Sequence, residues 1–164
     1  MTVSAVPALV AALEWKITGL PLHPLVVHAA VVFTPLASLA ALAYVFVARY
    51  RDLLRWPTLV LAVVAAGAIW AAYLTGNNFF DSDHFKNFSG ELLDRIEKHE
   101  SYARTLRWIA TGFGIVTVAA AYLHDRQGTR KTVLGALVAI FAVLTLVWVV
   151  LTGDAGSRAV WSET

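Results

Sequence analysis

The chain has no cysteine, which excludes a disulfide framework, c-type haem attachment, an iron–sulfur cluster and a thiolate zinc site. Charge is also scarce. Asp, Glu, Lys and Arg make up 15% of the 164 residues, and 59% are hydrophobic. Water-soluble domains carry about 25% charged residues, so an ordinary soluble fold is excluded. A formal net charge of +2 is too small to argue for a nucleic-acid partner. No apolar run alternates with period two, which removes a β-barrel. There is no Gly-rich phosphate loop, serine elbow or zinc-protease helix, and Ser101 has no evident base and oxyanion hole. The run Asp81-Ser82-Asp83-His84 lacks the glycine and glutamate of an EF-hand loop. Nothing in the chain reads as an enzyme acting by itself.

What is present is long apolar sequence, with a mean hydropathy of +0.66. Four runs stand out: Pro24 to Val47, Trp56 to Leu74, Trp108 to Leu123 and Thr132 to Leu151. A helix of about twenty residues covers the roughly 30 Å of bilayer hydrocarbon, and Tyr102 to Arg107 extend the third run. The pattern predicts an all-α, four-helix transmembrane bundle over residues 23–164, with spans at about 24–47, 56–74, 100–123 and 132–151. Residues 1–22 stand apart. Val6, Leu9, Val10 and Leu13 share one helical face, while Glu14 and Lys16 and the want of a basic leader argue against a signal peptide. An amphipathic helix in the membrane interface is expected there.

Two connections are short and basic, with Arg49, Arg51 and Arg55 at one and Arg126, Arg130 and Lys131 at the other. The positive-inside rule places both in the cytoplasm and both termini outside the cell membrane. On that topology the cytoplasmic turns are too short for a site, and local function belongs to the outer face. The one long connection runs from Asn77 to about Lys98. Within it, Ser89 is the expected N-cap of the third helix and Glu91 favours its dipole. Leu92, Ile96, His99, Ala103, Leu106 and Ala110 then recur at helical spacing, which puts His99 on an inward stripe.

Helix two is expected to end in Leu74-Thr75-Gly76-Asn77 and helix four in Leu151-Thr152-Gly153-Asp154. His23 precedes Gly76 by 53 residues and His99 precedes Gly153 by 54. The chain thus reads as two parallel hairpins, although glycines that simply terminate helices give the same letters.

Pro24 suits the first helical position and makes His23 the expected cap. His28 lies one turn deeper in an apolar span, where an ionisable group points to function; a nearby carbonyl or hydroxyl would satisfy it equally well. His99 is its natural partner, because a bundle core can hold haem iron between imidazoles on facing helices. Counted from Arg49, His28 stands about 31 Å and His23 about 39 Å up the helix, while His99 stands about 40 Å above Arg126. A b-type haem on His28 and His99 therefore competes with a Zn²⁺ or Cu²⁺ ion held by His23, His28 and His99, and with no cofactor at all. Arg104 and Arg107 sit where helix three enters the bilayer and need partners. An Arg104–Asp154 ion pair, or Asp154 accepting from His99, meets that need.

The segments Gly19-Leu20-Pro21-Leu22-His23-Pro24-Leu25-Val26-Val27-His28, His99-Glu100 and Thr152-Gly153-Asp154-Ala155-Gly156-Ser157-Arg158-Ala159-Val160-Trp161 resemble the bacterial family called domain of unknown function 2231, and its actinobacterial members in particular. The resemblance implies a small four-helix protein of a bacterial cell membrane. Some members are fused to cytochrome-c-like modules, which implies electron transfer. Many carry His where this chain has Asp154, so no fourth imidazole is expected here. Two functions follow. One is a haem- or metal-binding electron carrier beside a respiratory chain. The other is a non-catalytic subunit of a larger membrane complex, or a homo-oligomer, packed through Ala65, Ala66, Gly67, Gly112 and Gly114. A transporter is disfavoured, because no charge falls near the midplane.

Overall fold

The structure is a computed structural model that describes residues 16–17, 19–80, 90–125 and 128–161. Four helices dominate it: α1 (Leu22–Phe46), α2 (Arg51–Phe80), α3 (Glu91–Tyr122) and α4 (Thr129–Trp161). All four are long and apolar enough to cross a membrane. Within each hairpin, α1 packs on α2 and α3 on α4. Contacts of α2 with α3 and of α1 with α4 close the ring.

The packing inverts that of a soluble core. Ala37, Ala41, Ala62, Ala65 and Ala142 are sealed inside together with Thr34, Ser38, Thr58, Thr117 and Thr145. Val32, Leu39, Val60, Ile115 and Ile140 point outward. Lipid rewards burial of large side chains no more than contact with lipid does, so small residues that let backbones approach take the interior. Gly112 marks the tightest approach, since a Cβ there would lie 2.3 Å from the Phe141 ring.

The two hairpins repeat each other by position. The buried residues of α1 are Ala30, Thr34, Ala37, Ser38, Ala41 and Tyr44. Moved on by 76 residues they become Leu106, Ala110, Phe113, Gly114, Thr117 and Ala120, all buried in α3. In α2, Thr58, Ala62, Ala65, Ile69 and Thr75 are buried. Moved on by 80, they become Val138, Ala142, Thr145, Val149 and Ala155, all buried in α4. This register corrects the Leu-Thr-Gly match, which implies a shift of 77. Thr75 is equivalent to Ala155 and Gly76 to Gly156, so the matched letters lie nearly a turn apart.

Element ends also differ from expectation. Helix α2 runs through Gly76 to Phe80, and α4 runs through Gly153 to Trp161. Neither glycine stops its helix, because both hairpins continue to pack beyond them. Pro21 caps α1, so His23 is a helical residue rather than the cap. Gly90, with φ 72°, takes the N-cap of α3, the place expected of Ser89. Lys16–Ile17 pairs antiparallel with Leu20–Pro21 around Gly19 at φ 83°, so the interfacial helix expected over residues 1–22 does not extend through this stretch. Residues 1–15, Ser89, Arg126 and the run Asp81-Ser82-Asp83-His84 lie outside the described residues.

Candidate functional site

The histidine-bearing end of the bundle is built by the repeat. His23, in the first turn of α1, donates from Nδ1 to the Ala72 carbonyl of α2 at 2.9 Å. His99, two turns into α3, donates from Nδ1 to the Thr152 carbonyl of α4 at 2.9 Å. A carbonyl can only accept, so in each ring Nδ1 carries the proton and the neutral tautomer leaves the Nε2 lone pair available. The same geometry orients metal-binding histidines in general. No partner of either Nε2 is found among the described residues.

Glycines make room for both rings. A Cβ at Gly76 would come within 3.0 Å of the His23 ring, and one at Gly156 within 2.9 Å of the His99 ring. Gly153, by contrast, has nothing within 4 Å of a built Cβ, so the glycine that serves His99 is Gly156. Each imidazole thus lies against the backbone one turn beyond the carbonyl it bonds. The ring centroids of His23 and His99 are 6.4 Å apart with planes at 69°, and Phe79 stacks on His23 at 6.4 Å.

His28 is elsewhere. It is exposed, and its Nδ1 donates to the Pro24 carbonyl of its own helix at 2.6 Å. Five residues separate it from His23, which carries it nearly a turn and a half along α1 and off the face that holds His23. The structure therefore brings His99 to His23 and not to His28, and the His28–His99 pair and the three-histidine set are not assembled. Among the described residues no three His, Asp or Glu side chains come together as a metal cluster. Two imidazoles whose Nε2 atoms have no partner among the described residues are the kind of donors that would hold a haem iron, or a metal ion completed by water.

Arg104 and Asp154 also stay apart. Arg104 bonds Glu100 at 2.6 Å, one turn back on α3, and Asp154 holds Arg158 at 2.8 Å, one turn on along α4. Each finds a nearer partner four residues away on its own helix, the spacing at which side chains meet. His99 bonds Thr152 rather than Asp154.

The opposite end holds a network that the short-turn argument missed. His124, just past α3, donates from Nε2 to Asp52 Oδ1 at 2.8 Å, and its Nδ1 lies 3.0 Å from the Tyr44 hydroxyl. Tyr44 is buried and also reaches the Ala120 carbonyl at 3.2 Å. Arg55 donates to the Ala121 carbonyl at 2.8 Å, satisfying an end-of-helix acceptor. Tyr44 and Ala120 are repeat equivalents, so the large ring on one hairpin fills the space its small counterpart leaves. A signal existed: Tyr44 is the one phenol of α1, about one turn before the basic connection.

No curated protein and no solved structure matches the chain. The family model described as "Predicted membrane protein (DUF2231)" matches residues 19–164, which take in all four helices and both histidine clasps, and the chain belongs to that family.

Proposed function

We propose that this membrane protein holds a metal centre at the histidine end of its bundle, with His23 and His99 as the protein ligands and one-electron transfer as its role. The observation that carries the reading is the mirrored pair of imidazoles, each with Nδ1 committed to a carbonyl and Nε2 left over. Haem iron or a copper ion bound there supplies a one-electron couple, and zinc in the same place would not. The chain's own part is to fix both tautomers, bring the rings together and surround them with helix. The basic connections mark the cytoplasmic side, which puts the pair near the outer face, within reach of respiratory partners.

The test is an absorption spectrum with metal analysis of protein purified from haem- and metal-replete cells. A b-type haem gives a Soret band and a reduced α-band, and a bare ion gives stoichiometric metal without them. A colourless, metal-free preparation overturns the reading.

A second reading rests on the same hydrogen bonds. Each Nδ1 bond ties the start of one helix to its hairpin neighbour, which is work enough for a non-catalytic subunit of a larger complex. On that reading His23→Ala and His99→Ala lower abundance and leave the spectrum unchanged.

A further inference from the structure

Arg107 lies half-buried in α3 and faces three aromatic rings. Its guanidinium carbon is 3.9 Å from the Tyr73 ring centroid, 5.1 Å from that of Trp70 and 5.2 Å from that of Trp108. These faces hold the cation, but the contacts supply no oxygen acceptor for the five N–H donors of an arginine. Its Nε is buried without a hydrogen-bond partner. At this end of the bundle Arg95, Arg104 and Arg158 each have a carboxylate within hydrogen-bond reach. Arg107 has none among the described residues.

Directly along the bundle from this cage, an open groove of about 390 Å³ runs between α2 and α3 over Val63, Ala66, Gly67, Thr111, Gly114 and Ile115. Trp70 belongs to both features, since its ring faces Arg107 and also lines the groove. Its Nε1 donates to Thr111 Oγ1 at 2.9 Å, and that hydroxyl donates to the Arg107 carbonyl at 2.7 Å. The groove runs from Val63 to Trp70 on α2 and from Thr111 to Val118 on α3, a rise of about 10 Å along either helix. A caged cation lacking an anion therefore sits at the head of an apolar channel as long as part of an acyl chain.

We infer that the α2–α3 face binds an anionic membrane lipid, with its chain in the groove and its headgroup oxyanion on Arg107. A guanidinium is built to take such an oxyanion on two parallel N–H groups. A second copy of this chain is the poorer occupant. A two-fold contact through this face would set one Arg107 cage against another and add cation to cation.

The test is native mass spectrometry of the full chain in mild detergent, titrated with phosphatidylglycerol, phosphatidylcholine or palmitate. Phosphatidylglycerol should bind about tenfold or more tightly than phosphatidylcholine, as a charge-assisted bidentate contact implies. Arg107→Gln should reduce phosphatidylglycerol to the phosphatidylcholine level. Arg107→Lys, which keeps the charge and the stem, should retain part of the preference. Gly67→Leu should weaken both lipids, because a Cβ there meets nothing within 4 Å and the side chain can fill the groove without a clash. Palmitate competing equally with phosphatidylglycerol supports the site and shows that a carboxylate serves the guanidinium as well as a phosphate does. Equal binding of the two phospholipids by the unaltered chain overturns the inference. So does undiminished binding by Gly67→Leu, or a dimer that Gly67→Leu abolishes.

Discussion

His23 and His99 stand 76 residues apart in the chain, yet their rings meet edge-on with centroids 6.4 Å apart at one end of the bundle. That separation is the shift relating the buried positions of α1 to those of α3, so the two imidazoles are counterparts in a doubled hairpin. Their acceptors, Ala72 and Thr152, and the glycines beneath them, Gly76 and Gly156, share the second shift of 80.

The glycines separate this register from the one in the letters. Gly76→Ala and Gly156→Ala each drive a methyl into an imidazole at 3.0 and 2.9 Å. Each should cost about 1–3 kcal/mol by overpacking, less up to about 1 kcal/mol regained in helix propensity. Gly153→Ala, with open space around it, should be neutral or stabilising. Thermal unfolding in detergent reads all three. Equal destabilisation by Gly153→Ala would restore the Leu-Thr-Gly equivalence.

Gly112 should be among the least replaceable residues. A Cβ built there lies 2.3 Å from Phe141 Cε1, so Gly112→Ala should destabilise by about 1–3 kcal/mol. Phe141→Leu in the same chain should restore part of the loss. Unfolding of the single and double variants checks both statements.

At the basic end, Tyr44→Phe and His124→Gln should each destabilise by about 1–3 kcal/mol, because each leaves a partner short of a hydrogen bond in a confined site. The two changes touch one network, so the double variant should miss additivity by about 0.5 kcal/mol or more. Additive losses would show that the Tyr44–His124 contact carries no coupling.

Arg104 and Asp154 provide the opposite control. Each is bound to a neighbour on its own helix, so in a double-mutant cycle the effects of Arg104→Gln and Asp154→Asn should simply add, with no coupling between them. A measured coupling would revive the cross-helix ion pair.

Membrane insertion, four helices and a doubled arrangement were legible because twenty-residue apolar runs and basic short turns have few other physical explanations. The inward faces were not, apart from the stripe of α3 that carries His99. Val, Leu and Ile suit lipid as well as they suit a core, so hydrophobicity does not separate the two. The seam is marked instead by Ala, Gly, Ser and Thr, as at Ala37, Ser38, Ala41 and Ala62. The repeat was half legible for a related reason. Of the eleven buried pairs it relates, only Ala62 and Ala142 are the same residue, and the pattern survives in position rather than in residue identity or size. The level of His99 could be counted from the ends of its helix, and the count set it beside His23. The outward turn of His28 depended on which face of α1 meets its neighbours, and an all-apolar helix does not reveal that. The Tyr44–His124–Asp52 network joins the ends of three helices, which spacing along a single helix cannot anticipate.

The most direct test of a His23–His99 metal centre is bound haem and metal per chain in the unaltered protein and in His23→Gln, His99→Gln and His28→Gln, purified side by side. The account predicts one centre per chain, lost with either His23→Gln or His99→Gln and kept in His28→Gln. A centre that survives His23→Gln and disappears with His28→Gln, or no centre in the unaltered chain, would contradict it.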